Sequence, residues 1–120
     1  MQPTEPTQPI QATIDVLYFE GCPNHLVALD VLRDAMRLAG MSAVPIHMVR
    51  AESDDDAVRY AFYGSPTIRI NGQDVVPPAP GAQPSLVCRI YRTPDGHAQG
   101  YPARETIVAA LQSQTAHPQG

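Results

Sequence analysis

Ile14 to Phe19 (IDVLYF) is too apolar for a strand that keeps one face in water. A short run of β-branched, aliphatic and aromatic residues like this reads as a buried central strand. It stops abruptly at Glu20-Gly21-Cys22-Pro23-Asn24-His25. Pro23 suits a helix start, where its missing N–H costs nothing. Leu26, Leu29, Leu32 and Met36 follow at helical spacing, with Asp30, Arg33, Asp34 and Arg37 among them, and Gly40 supplies a stop. The spacing predicts a first helix over roughly 23–39. A strand feeding directly into a helix in this way begins an α/β fold.

The rest of the chain continues the alternation. Pro45 to Val49 reads as a second strand, and Asp54-Asp55-Asp56 opens a second helix, with Asp54 as its cap and Val58, Ala61 and Phe62 on its apolar side. Gly64-Ser65-Pro66 ends it. Thr67 to Ile70 and Gln73 to Val76 flank Asn71-Gly72, which is a type I′ hairpin signal. Pro77 to Pro84 is a loop by composition. Leu86 to Tyr91 (LVCRIY) alternates like an extra strand, Pro94-Asp95-Gly96 turns, and Arg104 to Gln112 reads as a last helix. The expected order is β-α-β-α-β-β, an extra segment, then α, over a domain spanning 13–113. Residues 1–12 read as a disordered arm and 114–120 as a flexible tail.

Composition narrows the chemistry. The sequence has 120 residues, enough for one domain with a core of its own. Its formal net charge is −4 and it has no basic run, which argues against nucleic acid or an anionic membrane as partner. There is no lysine, so Schiff-base chemistry and a P-loop are excluded. No apolar run approaches a membrane span. The polar, proline-bearing start lacks the apolar stretch of a secretory signal, so a cytoplasmic, reducing setting is the expectation, with both thiols free.

Cys22 is the residue where chemistry is expected. A cysteine between a strand and a helix start gains from unpaired N–H groups and the positive end of the helix dipole. Such thiols can have pKa values lowered to about 3.5–7.5. The competing reading is a structural cysteine. His25, three residues on, can stabilise a thiolate, act as a general base or join Cys22 on a metal; a solvated histidine is the alternative. Cys88 is either a second thiol for the site or a small buried hydrophobe on the extra strand, sharing a side with Leu86 and Ile90. His47, His97 and His117 are scattered, and with two thiols they make no structural zinc site. Asp54 to Asp56 is a solvated helix start and not a calcium loop.

Phe19-Glu20-Gly21-Cys22-Pro23-Asn24-His25, followed later by Gly64-Ser65-Pro66-Thr67 and an Asn-Gly hairpin, resembles the thioredoxin superfamily. More narrowly, the chain is similar to small bacterial thioredoxin-like proteins with a Gly-Cys-Pro-Asn-Cys or Gly-Cys-Pro-Asn-His motif, some of them labelled as similar to alkylmercury lyase. The resemblance covers roughly residues 14–112. It implies a thioredoxin-like α/β fold: a central mixed four-stranded sheet flanked by helices. It also implies that Cys22 is the attacking thiol and Pro66 a cis-proline beside it. Pro23, Ser65 and Pro66 would then shape the substrate site, with a strand-like backbone edge.

One departure matters. His25 stands where the Cys-x-x-Cys motif has its second cysteine, and a mixed disulfide needs a second thiol to resolve it. In the expected topology residues 77–102 begin at the active-site edge and carry Cys88, which can supply that thiol. The leading expectation is therefore a thiol-dependent redox protein acting on a disulfide-containing protein or a small thiol, without a cofactor. The second is a binding module that holds a soft metal such as mercury, copper or zinc, or a thiol ligand, through Cys22 with His25 or Cys88. The third is an interaction domain that keeps the fold without the redox activity.

Overall fold

The computed structural model describes residues 12–115. The expected arm and tail fall mostly outside them, as does His117. The elements are β1 (Ile14–Tyr18), α1 (Asn24–Leu38), β2 (Ile46–Arg50), α2 (Asp54–Arg59), β3 (Thr67–Ile70), β4 (Gln73–Asp74), β5 (Tyr91–Arg92), β6 (Ala98–Gln99) and α3 (Arg104–Thr115). The four-stranded sheet runs β2-β1-β3-β4. β1 pairs parallel with β2 and antiparallel with β3, so Leu17 faces both Val49 and Thr67. This is the mixed, helix-flanked sheet expected from the sequence.

β1 is apolar except at Asp15 because both of its faces meet a core. Ile14 and Val16 join Ile68 and Ile70 of β3 in a core with Ala28, Leu32, Ala35 and Met36 of α1 and Ile107 and Leu111 of α3. Leu17 points the other way, into a smaller cluster with Ala51, Ala57 and Phe62. Period-two alternation thus serves two cores at once.

Local chemistry sets the ends of α1. A Cβ at Gly21 would lie 2.7 Å from the Phe19 ring, so the turn from β1 needs glycine there. At the other end Gly40 sits at φ +73. Its N–H bonds the Arg37 carbonyl, and the Met41 N–H reaches back to Met36. This is a Schellman cap.

Several expectations need correction. Leu26 is 60% exposed, and α1 buries Ala28 and Ala35 instead, because the helix turns its small residues toward the sheet. Ser53, not Asp54, caps α2, accepting from the Asp56 N–H at 3.1 Å. α2 ends at Arg59, Val58 faces solvent, and Phe62 is buried only after the chain has left the helix. The strand expected over 86–91 is reduced to one bridge, Ser65 to Cys88, and to the β5–β6 hairpin. α3 continues past Gln112.

α2 closes with the same cap as α1, since Phe62 N–H bonds Ala57 and Ala61 N–H bonds Val58. Here the left-handed position is Ala61, at φ 51. A Cβ is unfavourable in that conformation. Ala61→Gly should therefore raise stability by about 1 kcal/mol in chemical denaturation.

Candidate functional site

Ser65 is the point on which three segments meet. Its hydroxyl accepts from the Phe19 N–H at the end of β1, at 3.4 Å. Its own N–H donates to Val87 O at 2.8 Å, and its carbonyl accepts from Arg89 N–H at 2.9 Å. The same carbonyl lies 3.6 Å from Cys22 Sγ, whose S–H donates to it. The strap of residues 85–91 is thereby laid along Ser65 like an added strand, with Cys88 opposite it. Ser85 N–H extends the contact to Phe62 O.

Side chains fix the strap further. One Arg89 nitrogen donates to Thr67 Oγ1 at 3.1 Å and to Asp74 Oδ2 at 2.8 Å, and the other to Val76 O at 2.6 Å. Arg89 and Asp74 are half-buried, with side chains only 9% and 11% exposed. The guanidinium also covers the Tyr91 ring, 4.7 Å from its centroid. The Tyr91 hydroxyl donates to Pro66 O at 2.5 Å. Burial pushes its pKa far above the usual phenol range, so it remains a donor. Gly64, at φ +132, completes the fit, because a Cβ there would lie 2.9 Å from Arg89 Cβ.

The two thiols differ in exposure. Cys22 is wholly buried, beneath the strap and beside Ser65. Cys88 is exposed. It is not the buried hydrophobe of the extra-strand reading: Leu86 turns inward to the smaller core, whereas Cys88 and Ile90 face out. Cys88 nevertheless reaches Cys22. Interaction with Cys22, then desolvation, raise its pKa above the ordinary thiol value, so Cys88 holds its proton more tightly than a free thiol.

The structure brings Cys22, Ser65 and Cys88 together. Pro66 follows Ser65 through a cis peptide bond. Both residues are fully buried, and the Ser65 main-chain edge expected to be open for substrate is already filled by the chain itself. Pro23 is exposed at the helix cap with no side-chain bond across it.

His25 serves Cys22 differently from the expectation. Its Nδ1 lies 2.7 Å from the Cys22 carbonyl, which can only accept, so Nδ1 carries the proton. The ring stacks on Tyr18 at 4.4 Å. It braces the Cys22 main chain. His47 and His97 pair with Asp15 and Asp95 on the surface, away from the thiols.

Among the described residues no group of three or more histidine, cysteine or acidic side chains is placed to hold a metal. A cleft of about 310 Å³ lined by Phe19, Glu20, Gly21, Arg50, Glu52 and Leu86 runs beside the Cys22 turn. A larger one, about 610 Å³, lies between α1 and β2 among Asp30, Arg33 and Arg37. Residues that the sequence did not single out close the site: Arg89, Asp74 and Tyr91, and also Gly100, where a Cβ would fall 2.2 Å from Asn24 Nδ2. The one available signal was a charged Arg89 inside the otherwise apolar LVCRIY run.

No family model, no curated protein and no solved structure matches this chain.

Removing Cys22 deletes the neighbour whose interaction raises the Cys88 pKa. In Cys22→Ala the pH profile for alkylation of Cys88 should therefore move to lower pH than in wild type. An unchanged profile would mean that the thiols do not interact.

Proposed function

We propose that this chain is a thioredoxin-like thiol–disulfide redox protein whose working pair is Cys22 and Cys88. The observation that carries the reading is that Ser65 joins a buried thiol at a helix start to an exposed thiol on a separate, pinned segment: its carbonyl lies 3.6 Å from Cys22 Sγ, and Cys88 bridges to it along the strap. The parallel β1–α1–β2 unit, the antiparallel β3–β4 hairpin and the cis-proline loop facing Cys22 support the fold assignment.

Resolution of a mixed disulfide needs a second thiol within reach of the first. His25 cannot supply it, and Cys88 can. The cycle runs between a Cys22/Cys88 dithiol and a Cys22–Cys88 disulfide. Oxidation forms one S–S bond in the protein and breaks one in an external disulfide, which leaves as two thiols. The strap is anchored on Ser65 next to Cys22, which supports closure with little chain ordering.

A second reading draws on the same adjacency. Two close thiols with no third ligand among the described residues suit a two-coordinate soft cation held without turnover. Metal uptake would release protons without consuming a disulfide.

Titration of the wild type against glutathione redox buffers separates these. Both thiols should disappear together in one two-electron transition, while Cys22→Ser and Cys88→Ser accumulate glutathione adducts instead. Two free thiols that persist through an oxidising buffer would leave only the binding reading.

A further inference from the structure

We propose that Cys88, and not Cys22, is the sulfur that meets the external disulfide, a low-molecular-weight one, and that Cys22 acts second, from beneath. This rests on the redox reading above and assigns the order of events within it.

The argument starts from access. Thiol–disulfide exchange needs the attacking sulfur to approach the sulfur it attacks. Cys22 is 0% exposed, covered by a strap that is pinned on both sides of Ser65 and by the Arg89–Asp74 pair. Cys88 is exposed on that strap, between Val87 and Arg89. Main-chain recognition points the same way. A peptide substrate would seek a free strand edge. The N–H and C=O of Ser65 are already bonded to Val87 and Arg89. A small disulfide needs no such edge.

Cys88 lies opposite Ser65, whose carbonyl is 3.6 Å from Cys22 Sγ. Loss of the Cys88 proton to solvent leaves its thiolate free to attack. Its sulfur bonds one sulfur of R–S–S–R, and the other leaves as RS⁻, which takes a proton from water. Cys22 then loses its proton and attacks Cys88 Sγ. The bond from Cys88 to R breaks, the second RS⁻ departs, and the internal disulfide forms. Two electrons pass to the external disulfide, and the two thiol protons end on the two released thiols.

Oxidised glutathione is the probe. Cys22→Ser, which keeps Cys88, should form its adduct roughly tenfold faster or more than Cys88→Ser, where only the buried sulfur remains. Wild type quenched with acid during the reaction and mapped by digestion should carry the transient adduct on Cys88, a readout that needs no variant to fold. Equal or faster reaction of Cys88→Ser, or an adduct on Cys22 in wild type, overturns the assignment. Loss of the redox reading looks different: the adduct persists on wild type and never gives way to an internal disulfide.

Discussion

The clasp of Ser65 by the strap is the interaction on which the site depends. Every hydrogen-bonding group of this residue is used: the hydroxyl by Phe19, the N–H by Val87, and the carbonyl by Arg89 and Cys22. Each of these bonds is worth about 1 kcal/mol on its own. Their effect is geometric. They place the end of β1, the cis-proline loop and the strap in one frame, and that frame sets the distance between the two thiols. The half-buried Arg89–Asp74 pair locks it, because removing either partner would leave a largely desolvated charge unpaired.

The same frame divides the labour between the sulfurs. Cys22 is held at the helix start by the Ser65 carbonyl on its thiol and by His25 on its own carbonyl. Cys88 is held over it but stays open to solvent. One sulfur is ordered and shielded, and the other is ordered and reachable. On the proposed redox reading, a dithiol of this kind would resolve its own mixed disulfide without a second cysteine in the helix-start motif.

Much of this was legible in the sequence. The largely apolar IDVLYF run announced a strand covered on both faces, and β1 is central with cores on either side. Asn71-Gly72 announced the hairpin, and both residues adopt positive φ. The strand-to-helix cysteine was also readable, because Gly-Cys-Pro punctuates the chain by local sterics. What failed was the placing of faces that only tertiary contact decides. Leu26 and Val58 sit at helical spacing and still face solvent, since α1 buries Ala28 and Ala35 and α2 buries Ala57 in their place. Period-two alternation in LVCRIY suggested a buried Cys88. A segment that makes one bridge and is anchored by an arginine has no such obligation. The Arg89–Asp74–Thr67 connection joins residues remote in sequence, and no local pattern encodes it.

The central claim is that the buried and the exposed thiol form one redox pair. Non-reducing digestion of the oxidised, monomeric wild-type protein tests it most directly. The account predicts a single cross-linked species joining the peptide that contains Cys22 to the one that contains Cys88. Oxidised protein in which the two peptides remain separate, or are joined only between chains, would contradict it.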